Sequence, residues 1–201
     1  MKTTKHYFEQ RSEKWELARI GRIGGSEAIG VTTPARLKTI VYKKLAEVLT
    51  NKQEEVYETA AMSRGIELEP LAIAQYEQDT FQDVTHIGYI TNEDYKYAGL
   101  SVDGIIGDTG AVEVKCQGAK AYVESVITNK PPTVYLPQLA WYFLILNELQ
   151  WIDYVIFNPD VKSKPYYKIR LTREELQDSI DKVREGYFKF EAKIDEYIKL
   201  F

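Results

Sequence analysis

The sequence predicts an α/β (α+β) fold, a central mixed sheet flanked by helices. Three observations carry this. Apolar residues in the first third recur at helical spacing. Between residues 86 and 117, and again between 150 and 171, the pattern changes to short runs rich in β-branched and aromatic residues. The stretch from 172 returns to a helical period. Strands bracketed by amphipathic helices bury their faces as a helix-covered sheet. With 201 residues, 44% hydrophobic and 28% charged, the chain reads as one domain over 1–201. Its parts are a helical N-terminal portion (about 1–82), a sheet core (about 83–171) and a C-terminal helix (about 172–201).

The first element is a short apolar-faced helical segment from Trp15 to Ile20, and Gly24-Gly25-Ser26 then reads as a turn with Ser26 placed to cap the next segment. Pro34 suits the first turn of a helix running through Val41, Leu45 and Val48. A longer helix spans Glu58 to Phe81, interrupted in character by Gly65 and Pro70. His86–Thr91, Tyr97–Ile106 and Ala111–Gln117 read as a three-stranded meander. Pro131-Pro132 ends a loop, Val134–Glu148 is helical, and Gln150–Asn158 and Lys164–Leu171 are two further strands. Thr172 and Glu175 form a capping box. Leu176, Ile180, Val183, Tyr187, Phe190, Ile194, Tyr197 and Phe201 then alternate spacings of four and three. That repeat permits a coiled-coil seam with another chain; the plainer reading is an apolar stripe packed on the chain's own sheet.

Composition narrows the class. No apolar run approaches the ~20 residues that span a bilayer, and Met1–His6 lacks the apolar core of a signal peptide. A single cysteine excludes a disulfide framework and any cysteine-held zinc or iron–sulfur site. Cys116, following Lys115 on an interior strand, is expected as a buried small apolar residue. A cytoplasmic setting is the expectation. The net charge of −4 and pI near 5.4 argue against broad, salt-driven coating of nucleic acid. Contact, if any, is local, through cations such as Arg11, Lys14, Arg19, Arg22 and Lys120.

The chemistry is densest at Gly99-Leu100-Ser101-Val102-Asp103-Gly104 and Glu113-Val114-Lys115. Strand alternation points Glu113 and Lys115 to one face. If Asp108 to Gly110 form a three-residue hairpin loop with Gly110 left-handed, Ile105 pairs with Glu113 and Asp103 with Lys115. Asp103 then lies diagonal to Glu113, roughly 7–8 Å away between backbones. A four-residue loop would instead turn Asp103 to the opposite face. Two carboxylates and the Val114 carbonyl are hard oxygen donors suited to Mg²⁺ or Mn²⁺. Such an ion polarises a phosphate and acidifies a bound water. Lys115 is placed to orient or deprotonate that water and to offset charge on the phosphate. The bland reading is a solvated hairpin with a surface ion pair.

These residues, in a helix–three strands–helix–strand frame, resemble the PD-(D/E)XK nuclease superfamily with its restriction-endonuclease-like core. Gln10…Trp15…Arg19-Ile20-Gly21-Arg22-Ile23-Gly24-Gly25-Ser26, Arg64-Gly65-Ile66-Glu67-Leu68-Glu69-Pro70, Ser101-Val102-Asp103-Gly104 and Tyr135-Leu136-Pro137-Gln138 are more narrowly similar to the phage lambda exonuclease-like (YqaJ-type) viral recombinases. The resemblance covers about residues 8–158, with the motifs in the family's order. It implies Asp103 and Glu113 as metal ligands, Lys115 as the catalytic lysine, and Glu69 as the helical acid near the metals. It also implies that Gln138 places the water or phosphate, and that Arg19 and Ser26 hold the DNA 5′-phosphate. Val102 stands where the family usually has proline.

The activity implied is a Mg²⁺- or Mn²⁺-dependent 5′→3′ exonuclease on linear double-stranded DNA, making mononucleotides and leaving a 3′ single strand for recombination. The implied partners are two further copies in a ring-shaped homotrimer and a single-strand annealing protein, in a bacterial host or phage setting and with no membrane. Two alternatives stand beside it. One is a restriction-type endonuclease on the same core, for which the short chain leaves little room for base-reading loops. The other is a non-catalytic DNA-end-binding module.

Overall fold

Three of the helices begin where the sequence supplies a Ser or Thr side-chain cap, and two of these end on a left-handed residue. In the computed structural model, which describes residues 3–54 and 57–201, Ser12 caps α1 (Glu13–Arg19) and Thr33 caps α2 (Pro34–Thr50), which has proline in its first turn. Thr59 caps α3 (Ala60–Thr80). Asn51 and Phe81 close α2 and α3 in the left-handed conformation. α3 runs unbroken through Gly65 and Pro70, held by the burial of Ala72, Ile73 and Tyr76. Ser26 caps nothing. It lies exposed inside a 3₁₀ turn, Gly25–Val31, whose N-cap is Gly24, and the Glu27 carboxylate accepts the Gly24 N–H at 3.1 Å.

The central sheet has four strands in the order β3 (Gly104–Ile106), β4 (Gly110–Lys115), β5 (Trp151–Phe157), β6 (Tyr166–Thr172). β4 and β5 are parallel and the outer pairs antiparallel, so the sheet is mixed as expected. The meander is formed only in part: β3 and β4 pair as a regular hairpin, while the first segment meets the second through isolated antiparallel bridges at Thr85–Ile105 and Ile90–Leu100. β1 (Thr3–His6) and β2 (Tyr89–Asn92) make a separate two-stranded sheet, and the N-terminal part is therefore not wholly helical. Of the strand expected over Tyr97–Ile106, only the last three residues are regular. Upstream, Ala98 bridges Ile23 and Leu100 bridges Ile90.

The β3–β4 turn also differs by a step. Ile106 pairs with Gly110 and Ile105 with Ala111, so the three-residue loop is Gly107-Asp108-Thr109. Gly107, with φ +53°, is the left-handed residue, and Gly110 is in the strand. The register shifts by an even number of residues, so Asp103 keeps its face.

α5 (Leu136–Ile145) is buried along most of its length beneath the sheet face that carries Ala111, Ile152, Tyr154 and Ile156. The opposite face, with Val112, Val114 and Val155, packs on Ala72, Ile73 and Tyr76 of α3. α6 (Gln177–Tyr197) buries Ile180, Val183, Tyr187, Phe190 and Ile194 within its own chain, against α5, α2 and the 3₁₀ turn rather than on the sheet itself. Thr172 and Glu175 make the reciprocal capping bonds, although the regular helix begins only at Gln177. α4 (Ala119–Thr128) was not foreseen from the sequence pattern.

Candidate active site

β4 delivers two of the side chains and the hairpin the third. Glu113 and Lys115 alternate with Val112 and Val114 and so face α5. Continuing the observed register past Gly104↔Val112 puts Asp103 opposite Glu113 rather than Lys115. Asp103 bends back onto β4, and its Oδ2 accepts the Val114 N–H at 2.7 Å. Lys115 Nζ is 2.6 Å from Glu113 Oε1. The ammonium lies 5.3 Å from the centre of the Tyr135 ring, a cation–π distance.

α5 completes the arrangement around Glu113, which is 2% exposed. Gln138 donates to Oε1 and Tyr142 to Oε2. Glu69, half-buried on α3, stands within electrostatic reach of Glu113, Lys115, Arg11 and His86. A cavity of about 340 Å³ opens beside Glu69 and Asp103, with Arg11, His86 and Tyr7 among its walls.

Charge explains the protonation preferences. Burial, then the Glu113 and Glu69 carboxylates, push the Asp103 carboxyl well above its ordinary value. Burial foremost also raises Glu69. Burial alone would lower Lys115, but the Glu113 and Asp103 carboxylates outweigh it and hold the ammonium charged. Three carboxylates are crowded around a single lysine, and hard oxygen donors come from Asp103, Glu113 and the Val114 carbonyl. That set fits a hydrated divalent cation, which takes few protein ligands and keeps its waters. Among the described residues no group of three or more His, Cys, Asp or Glu side chains is spaced to hold a metal ion.

The stretch that carries Arg19 and Ser26 is tied to its surroundings through Trp15 and Gly25. The Arg19 guanidinium stacks 3.8 Å over the Trp15 ring, and Trp15 Nε1 donates to Ser101 Oγ at 2.9 Å, two residues before Asp103. Gln10 Nε2 donates to the Val102 carbonyl at 2.9 Å, so the N-terminal motif grips the Ser101–Asp103 segment twice. The Gly24-Gly25-Ser26 turn is set by the Ile23–Ala98 bridge and lies against α5: a Cβ on Gly25 would sit 3.5 Å from Gln138 Cγ. The N-terminal motif therefore meets the segment before β3 and the first turn of α5.

Arg64 closes the far side, donating to the Cys116 carbonyl and to Asn158 at the ends of β4 and β5. Cys116 lies half-buried just past β4, not on the strand. Burial, then the Glu69 carboxylate, push its thiol up to about 11, which makes it a poor nucleophile. Sequence reasoning missed Tyr142 and the Trp15–Ser101 bond. The spacing of four between Gln138 and Tyr142 was the available signal for the first.

The YqaJ-like viral recombinase domain matches residues 14–147. Among solved structures, LHK-Exo in complex with dAMP is 30% identical over 94% of this chain and 95% of its own, with a TM-score of 0.85. The alkaline exonuclease LHK-Exo from Laribacter hongkongensis is 31% identical over 94% and 96%, with a TM-score of 0.80. A phage-related exonuclease from Haemophilus somnus 129PT, at 14% identity over 98% of both chains and a TM-score of 0.54, shares the fold. No curated protein sequence matches significantly. On the extent of the domain match and the 30% identity maintained over nearly the whole length, the chain belongs to the YqaJ-like viral recombinase family.

Proposed function

We propose that this protein is a metal-dependent 5′→3′ exonuclease that degrades one strand of linear double-stranded DNA to mononucleotides, leaving 3′ single-stranded DNA for phage-type recombination. The observation that carries it is the convergence of Asp103, Glu113 and Lys115, with Trp15 of the N-terminal motif bonded to Ser101 two residues before Asp103. The relatives support the same reading. LHK-Exo is described as an alkaline exonuclease and as a complex with dAMP, a mononucleotide.

Asp103, Glu113 and the Val114 carbonyl would hold Mg²⁺ or Mn²⁺, which when bound supplies Lewis-acid polarisation of the scissile phosphate and a more acidic water. Lys115, 2.6 Å from Glu113 Oε1, offsets the negative charge that gathers on the phosphate oxygens or orients the attacking water. Gln138 holds Glu113 from the α5 side and Glu69 adds negative field from α3. Arg19, its guanidinium plane fixed on Trp15, and the exposed Ser26 hydroxyl bind the 5′-phosphate. A ring-shaped homotrimer threaded by DNA, a single-strand annealing partner and a cytoplasmic site of action in a phage-infected bacterium belong to the same proposal, on the family resemblance.

Lys115→Ala tests it. Cleavage of linear duplex should fall by about 10²-fold or more, the scale of losing one transition-state charge donor, while binding to DNA ends survives. Undiminished cleavage refutes the role of Lys115. A wild-type protein that binds ends without cutting leaves the end-binding module in its place.

A further inference from the structure

Tyr142 is fully buried on α5, four residues after Gln138, and both side chains emerge on the same side of the helix. They divide the two oxygens of Glu113 between them, Gln138 donating to Oε1 and the Tyr142 hydroxyl to Oε2. The same hydroxyl oxygen lies 3.4 Å from the Asp103 backbone nitrogen, where it accepts a long hydrogen bond. One phenol oxygen thus touches both acid-bearing segments, the end of the loop leading into β3 and the middle of β4. A fully buried tyrosine has no water to replace these partners, so its hydroxyl is committed to them.

We propose that Tyr142 is a positioning residue for the metal-binding carboxylates: its hydroxyl sets the rotation of the Glu113 carboxylate and ties the Asp103 backbone to it. This rests on the metal-dependent reading above. A carboxylate ligand free to rotate binds a cation less tightly, because the order must be imposed at the moment of binding. Supporting hydrogen bonds of this kind are worth about 10–100-fold in metal affinity. Tyr142→Phe removes one oxygen atom and keeps the ring in place, so the core around α5 is refilled almost completely.

The test is Mn²⁺ binding by the DNA-free protein, monitored through the paramagnetic resonance signal of free Mn²⁺, for wild type and Tyr142→Phe at matched folded fraction. The variant should bind Mn²⁺ roughly tenfold or more weakly, and the Mg²⁺ concentration for half-maximal cleavage should rise in parallel. High Mg²⁺ should restore the rate, and end binding in EDTA should be unchanged. A smaller loss of Mn²⁺ affinity overturns the inference, since a merely structural tyrosine alters stability without altering affinity. Wild type that binds no Mn²⁺ refutes the metal reading itself, a distinct failure. Should Tyr142→Phe not fold, the wild-type Tyr142 hydroxyl proton resonance decides the question. Mg²⁺ should shift that buried proton, and a signal unmoved at saturating Mg²⁺ overturns the inference.

Discussion

Lys44→Met probes how the chain holds the segment that carries Arg19 and Ser26. Lys44 is 3% exposed, with Nζ 2.9 Å from Glu27 Oε2 and 3.1 Å from Glu47 Oε1. Both carboxylates also reach the backbone of that segment. Glu47 accepts the Gly21 N–H at 3.0 Å, and Glu27 accepts the Gly24 N–H at 3.1 Å. Burial alone would raise Glu27, but Lys44, then Lys43 and the Gly24 N–H, outweigh it and hold its carboxyl below the ordinary value. Removing Lys44 strips the counter-charge from Glu47, itself 3% exposed, while Glu27 keeps Lys43 at 3.0 Å.

Leaving one partner of a buried pair uncompensated costs about 3–5 kcal/mol. For a chain of this length each kcal/mol is worth about 2–4 °C, so Tm should fall by roughly 6–20 °C in a thermal unfolding scan. Adding Glu47→Gln should recover most of the loss, because the amide oxygen still accepts the Gly21 N–H without a charge. A loss under about 1 kcal/mol for Lys44→Met, the range of an exposed pair, would refute the reasoning.

Gly186→Ala should destabilise by about 1–3 kcal/mol or more, because its Cβ would stand 2.1 Å from the Val31 carbonyl oxygen, backbone that cannot step aside; a neutral result by chemical denaturation contradicts the close approach of α6 to the 3₁₀ turn. Arg19→Lys, which keeps the charge but not the planar fork that lies on Trp15, should lose about 10-fold of any preference for 5′-phosphorylated over 5′-hydroxyl ends in kcat/KM; an unchanged ratio removes Arg19 from the phosphate site. The raised Asp103 and Glu69 pKa values mean that the folded chain binds these protons more tightly than the unfolded one. Their stabilisation is full below the ordinary carboxylate range of about 4 and is lost as pH rises through the raised values. In EDTA, Asp103→Asn should therefore gain stability over wild type as pH climbs above about 4, and a gap that narrows instead contradicts the assignment.

Glu113 and Lys115 were readable from spacing alone because they lie on β4, whereas Asp103 sits just before β3 and its placement depended on the turn. Glu113 and Lys115 share a face by alternation, and Asp103 kept its face because the turn slipped by an even step. What escaped was decided by tertiary contacts. The run from Tyr97 looked like a strand, yet its backbone groups go to Ile23, Ile90 and the Gln10 side chain instead of a continuous neighbour. β1 is a polar Thr-Thr-Lys-His stretch that becomes a strand only because β2 lies beside it. α4 has a glycine N-cap with no side-chain bond and leaves Val123 and Ile127 exposed, so no clean apolar stripe marked it. The C-terminal repeat read correctly as an intrachain stripe, but its partner is a layer of helices rather than the sheet. The Lys44–Glu27–Glu47 cluster was invisible because buried charges at helical spacing look like a solvated face.

Digestion of linear duplex DNA with Mg²⁺, comparing 5′-phosphorylated and 5′-hydroxyl ends beside a closed circle, decides the reaction in a single assay. The proposed chemistry predicts mononucleotides from phosphorylated linear DNA, no attack on the circle, and complete loss of release in EDTA. Cutting of the closed circle would instead assign an endonuclease, and no cleavage with Mg²⁺ or Mn²⁺ would contradict the catalytic reading of Asp103, Glu113 and Lys115.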